Sequence, residues 1–109
     1  MTTLVNLGAQ AYPAGTYTFP ITVAAGVTLL EAAMTRLAWP AGPVLTLALS
    51  WSDGAAASAD VIGGNLLDRH GATLAVQYLT TSKDAGVTQG TVTVTVLQPI
   101  TTAITVTAT

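Results

Sequence analysis

Histidine is the side chain that titrates nearest neutral pH, and the chain contains one, His70, in the segment Asp68-Arg69-His70-Gly71. Asp68 could orient this imidazole as a general base. As a nucleophile for such a base, however, there is no cysteine, and none of the four serines lies in a Gly-x-Ser-x-Gly turn. A polar turn closed by Gly71 is the better explanation of the segment. We therefore expect no catalytic residues and predict that the protein is not an enzyme.

Carboxylates offer a second kind of chemistry, the binding of cations. Asp53, Asp60, Asp68 and Asp84 stand apart in the sequence, without an Asp-x-Asp pair. Calcium takes roughly six to eight oxygen ligands, so turn formation explains isolated aspartates better. The glycines match neither Gly-x-x-x-x-Gly-Lys-Ser/Thr nor Gly-x-Gly-x-x-Gly, the loops that hold phosphates. We predict no bound metal, nucleotide or other cofactor.

Aromatic rings offer a third, the stacking of sugars. Trp39 with Tyr12 or Tyr17 would form such a platform if the rings were exposed on one face. The alternative is a place in the core, since tryptophan buries a large apolar area. Both interpretations stay open for Trp39, whereas Trp51 ends an alternating strand and is expected in the core. Arg36, just before Trp39, either anchors a partner or protects a strand edge.

Few charges accompany these residues. The 109 residues include three Lys or Arg and five Asp or Glu, for a net charge of −2, where about a quarter of an average chain is charged. The three cations form no basic run, so nucleic-acid binding is not expected. Residues 1–30 and 85–109 are uncharged, but glycine, proline and threonine interrupt them, and we expect no membrane span. No Lys or Arg precedes Arg36, so we expect no signal peptide, and the absence of cysteine fits a reducing cytoplasm.

The elements that would position these residues follow from the twenty threonines and eleven valines, which often alternate strictly, as in Thr91 to Val96. A period of two is typical of a half-buried strand. Further strands are predicted near residues 3–7, 16–23, 45–51, 72–80 and 104–107, separated by turns rich in glycine, proline and aspartate. This spacing predicts one all-β domain over residues 1–109, an antiparallel β-sandwich or jelly-roll-like barrel of about seven to eight short strands.

Two segments are less regular. Residues 28–38 begin with the capping box Thr28-Leu29-Leu30-Glu31 and carry apolar residues at helical spacing. We nevertheless expect a strand there, because an isolated helix of about ten residues is marginal and the neighbouring segments are strands. Residues 54–71 are predicted to be the longest irregular stretch, with Val61 and Ile62 able to add a short strand.

Three segments together carry a resemblance to a known group of proteins. They are residues 15–28, beginning Gly-Thr-Tyr-Thr-Phe-Pro; Trp39-Pro40-Ala41-Gly42-Pro43, with Arg36 before it; and Trp51-Ser52-Asp53-Gly54. The chain resembles small β-sandwich structural proteins of tailed bacteriophages, and residues 92–99 and 101–106 look like the closing strands of such domains. Members commonly decorate the outside of a capsid or form part of a tail or fibre. The resemblance implies a strand after Gly26 and no catalytic residues.

This resemblance predicts a virion protein assembled in the host cytoplasm, most specifically a capsid decoration (cement) protein. Its expected partners are the major capsid protein and copies of itself, as a dimer or trimer. Leu29 and Leu37 are apolar at positions expected to be exposed, so we predict an interaction surface of Leu29, Arg36, Leu37 and Trp39. The alternative is a carbohydrate- or receptor-binding domain of a phage tail or fibre. A small hydrolase is disfavoured by the lack of ionisable groups.

Overall fold

The computed structural model describes residues 2–35, 39–40, 42–62, 74–80 and 82–108. Its elements are eight β-strands. In chain order they are β1 (Thr2–Tyr12), β2 (Gly15–Thr22), β3 (Leu29–Thr35), β4 (Pro43–Trp51), β5 (Ala56–Ile62), β6 (Leu74–Thr80), β7 (Gln89–Val96) and β8 (Ile100–Ala108). In the part of the chain so described, no helix is long and apolar enough to cross a membrane.

The strands form two four-stranded sheets, ordered β1-β8-β3-β6 and β2-β7-β4-β5, and every pairing is antiparallel. Strand β1 pairs with β8, β2 with β7, β3 with β6 and β4 with β5. The chain is thus one long hairpin rolled into two layers, which is the eight-stranded jelly roll. The predicted all-β antiparallel sandwich is confirmed, and the strand order specifies the jelly-roll alternative.

The core lies between the two sheets and follows from the alternation of apolar and hydroxyl residues. In β7, Val92, Val94 and Val96 are buried while the threonines between them are half-buried. The same alternation holds in β8, where Ile104 and Val106 point inward. Each inward row packs against the facing sheet, so a period of two in the sequence becomes one contiguous core.

Residues 29–35 form a strand, as predicted, and the helical alternative is wrong. Leu30, Ala32 and Met34 are fully buried, while Glu31 and Ala33 between them are half-buried. Strand β3 pairs with β6 on one side and β8 on the other. These two ladders use the backbone groups that a short helix would have to satisfy alone, and they override the local capping signal.

The prediction of irregular structure for residues 54–71 is wrong over β5. Residues 56–61 pair in register with β4, from Ala56 opposite Ser50 to Val61 opposite Leu45. Alanine, serine and aspartate have low strand propensity, so the sequence carried little signal. The pairing with β4 decides the conformation here. Residues 63–73 lie outside the described residues.

Three connections meet at one end of the sandwich: 23–28 between β2 and β3, 52–55 between β4 and β5, and 82–88 before β7. The Val23 amide donates to the Thr88 carbonyl at 2.8 Å, the Gly26 amide to Ala85 at 2.8 Å, and the Ser52 amide to Gln89 at 3.0 Å. At the opposite end the Leu97 amide donates to the Val44 carbonyl at 2.8 Å. The connections at the two ends are therefore held by separate sets of backbone hydrogen bonds.

Candidate functional site

Most residues that suggested acid-base or metal chemistry are in turns or outside the described residues. His70 and Asp68 are among the latter. Asp53 closes the β4–β5 turn: Oδ1 accepts from the Ala55 amide and Oδ2 from the Asp84 amide, both at 3.0 Å. These bonds, first that from Asp84, lower the pKa of Asp53 below its ordinary value. The described side chains include no group of three or more His, Cys, Asp or Glu that could hold a metal ion.

Lys83 forms a buried contact that sequence reasoning missed. Its side chain is only 5 % exposed. Its ammonium donates to the Val87 carbonyl at 2.6 Å and the Asp84 carbonyl at 3.2 Å, and lies 5.0 Å from the centroid of the Trp51 ring. The sequence shows that Lys83 precedes an Asp-Ala-Gly turn. Only the fold places Trp51 next to this lysine. These contacts hold the β6–β7 connection against the end of the core.

Trp51 lies in the core, as predicted, and is 2 % exposed. Its ring packs over Gly90 of β7, the residue that pairs with it in the sheet. A Cβ atom on Gly90 would stand 2.8 Å from Cε3 of Trp51 and 2.9 Å from the Ser50 carbonyl oxygen. The glycine therefore gives the indole ring its space.

Tyr12 does not contribute to the suggested sugar-stacking platform. Tyr12 is 4 % exposed and belongs to the core. Tyr17 meets it edge-on, with ring centroids 5.5 Å apart and planes at 81°, and donates its hydroxyl to the Pro13 carbonyl at 2.9 Å. Trp39 is half-buried and packs against the core. Burial of Tyr12 removes its face from any platform.

The structure describes two of the four residues in the predicted interaction surface, Leu29 and Trp39. Leu29 begins β3 and is half-buried rather than exposed, pointing to the outer side of its sheet. Trp39 follows the other end of β3 in the chain and packs against the core. Arg36 and Leu37 lie outside the described residues.

The outer face of sheet β2-β7-β4-β5 is composed mainly of hydroxyl-bearing side chains, and we call it the hydroxyl face. The registers align its outward residues in rows across the four strands. The rows are Thr16, Thr95, Thr46 and Asp60; Thr18, Thr93, Ala48 and Ser58; and Pro20, Thr91, Ser50 and Ala56. Asp60 is the charged side chain in these rows, and its Oδ1 accepts a hydrogen bond from the Thr46 hydroxyl at 3.1 Å.

The outer face of sheet β1-β8-β3-β6 differs, and we call it the Glu31 face. Glu31 pairs with Thr107 of β8 on one side and Tyr78 of β6 on the other. Tyr78 is 61 % exposed, the most exposed of the described large apolar side chains. Leu29 and Ala33 flank Glu31 on the same side of β3. The sequence predicted a strand near residues 72–80 but did not show that Tyr78 lies on its outer side.

Three open depressions of the described surface have no charged side chain among their lining residues. One open depression of about 540 Å³ lies at the ends of β2, β4 and β7, where Thr22, Ser50 and Gln89 are among its lining residues and no ionisable side chain lines it. Two smaller ones, near Thr80 and near Tyr12, are equally open and uncharged. The candidate functional features are therefore the two outer faces. No protein-family model, curated protein or solved structure matches the chain.

Proposed function

We propose that the protein is a virion structural protein of a tailed bacteriophage, most specifically a decoration protein that binds the outer capsid shell and stabilises it by non-covalent contacts. The observation that carries the proposal is the hydroxyl face, whose aligned rows of threonine and serine include a single carboxylate. Such a face lacks the repulsion between like charges that keeps ordinary soluble proteins apart. It suits a subunit whose surface is covered in an assembly.

Two further considerations support the proposal. The jelly roll recurs in viral capsid domains and in lectins, although a fold by itself does not specify a function. The resemblance of the turn segments around Gly15, Trp39 and Trp51 to phage structural proteins points the same way. On this proposal the partners are the major capsid protein and further copies of the chain, and the protein is located in the virion.

Binding to shells tests the proposal directly. Empty shells of the phage that encodes the chain, assembled without it, are mixed with increasing amounts of purified protein, pelleted and analysed for bound protein. We expect saturation at a fixed ratio of protein to capsid subunit and a higher melting temperature of the shell. Absence of binding at micromolar concentration would overturn the proposal.

Association of the free protein is a separate expectation. Because the hydroxyl face carries little charge, we expect a dimer or trimer in sedimentation velocity at increasing concentration. A monomer at every concentration would argue against self-association and would leave shell binding as the proposed function of the protein.

A second function is favoured by one observation, the exposed ring of Tyr78 beside hydroxyl side chains. It is a carbohydrate- or receptor-binding domain of a phage tail or fibre. A glycan array separates the two functions: a glycan bound by the wild type and lost in Tyr78→Ala, together with no binding to shells, would establish the second.

A further inference from the structure

Glu31 occupies an unusual position for a carboxylate. It lies on β3, an inner strand, between Thr107 and Tyr78, and its side chain is half-buried. Among the residues that the structure describes, it has no hydrogen-bond or ion-pair partner. The other strand carboxylate, Asp60, accepts a hydrogen bond from Thr46, and Asp53 accepts two from backbone amides. The Glu31 carboxylate oxygens are not among the buried unsatisfied atoms of the described residues, so they are accessible to a donor or a cation of another molecule.

Tyr78 adds the second half of the arrangement. It stands directly opposite Glu31 in the ladder between β3 and β6, and directly paired residues on one face have Cβ atoms about 4.5–5.5 Å apart. Tyr78 is 61 % exposed, and tyrosine is a residue type that frequently anchors interfaces. A carboxylate and an aromatic ring at this separation can both bind one cation, the carboxylate through an ion pair and the ring through a cation–π contact.

We propose that the Glu31 face is a docking surface for a basic protein surface, with an arginine or lysine of the partner seated between the Glu31 carboxylate and the Tyr78 ring. Charge complementarity carries the proposal. The chain is acidic, with a net charge of −2, and the cation that its described residues contain, Lys83, is buried at the end of the sandwich. A second copy docked face to face about a two-fold axis would place two Glu31 carboxylates together, which is repulsive. This two-fold contact is therefore disfavoured, and the partner in our proposal is a different protein.

The proposal rests on the proposed function only in naming the capsid shell as that partner. A neutral glycan would use the Tyr78 ring and the neighbouring hydroxyls but would not compensate the charge of Glu31. Binding of a glycan is therefore kept as an outcome of the experiment.

The first experiment uses a blocked tetra-arginine peptide, titrated into the ¹⁵N-labelled full chain at low salt and followed by amide chemical shifts. We expect saturable shifts centred on residues 29–33 and 78–80, rather than near the exposed carboxylates of Asp53 and Asp60. Glu31→Gln keeps the shape of the side chain and Tyr78→Thr keeps a strand-forming residue. Each should weaken binding by about tenfold or more. Asp84→Asn is the matched control, because it removes one exposed charge from a turn outside both outer faces, and it should leave the affinity unchanged.

Shifts that cluster at Asp53 or Asp60, or an affinity that Glu31→Gln leaves unaltered, would overturn the proposal. The same variants are then used in the shell-binding assay, with melting temperatures confirming that they are folded. Shell binding that both variants retain at wild-type affinity would overturn the docking surface and leave the proposed function intact. If the wild type binds no shell, the proposed function fails, and the peptide titration alone decides this inference. A glycan lost in Tyr78→Thr but kept in Glu31→Gln would also overturn it.

Discussion

Replacing Lys83 by methionine tests whether a buried ammonium stabilises the end of the sandwich. Methionine retains most of the apolar stem over the Trp51 ring and removes the charge. The change deletes the hydrogen bonds to the Val87 carbonyl at 2.6 Å and the Asp84 carbonyl at 3.2 Å, together with the cation–π contact at 5.0 Å. It also removes the unfavourable desolvation of a charge that is 5 % exposed.

The magnitude follows from the balance of these contributions. Hydrogen bonds to charged groups contribute about 1.5–3 kcal/mol each, and a cation–π contact adds about 0.5–2 kcal/mol. Desolvation of the ammonium opposes them by several kcal/mol. The Asp84 carbonyl also accepts from the Val87 amide at 3.1 Å, so the main loss is at the Val87 carbonyl. We expect Lys83→Met to lower the free energy of unfolding by about 2 kcal/mol.

A second variant, Lys83→Ala, separates packing from charge. It additionally removes methylene groups that cover Trp51, at about 0.8 kcal/mol each, so we expect a total loss of about 4 kcal/mol. Urea unfolding followed by tryptophan fluorescence and by circular dichroism measures both variants, and Ser82→Ala, an exposed neighbouring position, is the control. A loss of 2 kcal/mol should lower the melting temperature by about 8 °C or more. Equal or greater stability of Lys83→Met would refute the reasoning, because it would show that desolvation outweighs the contacts.

Three further predictions concern the turn, the core and the strand alternation. Because the pKa of Asp53 is lowered in the folded state, its carboxylate stabilises the fold above its unfolded pKa of about 4, and this is lost as the pH falls through the lower folded value. Asp53→Asn should therefore show a smaller loss of stability in urea unfolding between pH 6 and 3, and an unchanged pH profile would contradict this. Gly90→Ala should cost about 1–3 kcal/mol by overpacking, measured by thermal unfolding against Gly8→Ala, whose new Cβ has open space; equal effects would refute the packing argument. Ala32→Asp should unfold the protein or cost more than about 3 kcal/mol by burying a charge, whereas Ala33→Asp should cost less than about 1 kcal/mol; equal losses in circular dichroism melts would contradict the assigned faces.

Strand positions were largely predictable because alternation is a local property of the chain. The pattern of Thr91 to Val96 specifies which side of β7 is buried wherever that strand lies in the fold. Residues 28–38 show the limit of such reasoning, since their sequence also fits a helix. Only the ladders to β6 and β8 decide between the two, because they satisfy backbone groups that the local sequence cannot.

The candidate faces were less predictable. The sequence indicated threonines on solvent-facing sides, but their alignment into rows across four strands depends on register. Likewise, Glu31 and Tyr78 are 47 positions apart and become neighbours only through the ladder between β3 and β6. Lys83 gave no local sign of its place over Trp51, because a turn lysine is normally solvated.

By itself the sequence determined an all-β chain with few charges and hydroxyl-rich outer faces, because composition and a period of two are properties of consecutive residues. Only the tertiary structure decided the jelly-roll order, the strand β5, the buried Lys83 and the pairing of Glu31 with Tyr78. The physical reason is that each of these depends on which distant segments pair. The pairing of the strands depends on the burial of all inward-facing rows together, and no single segment specifies it.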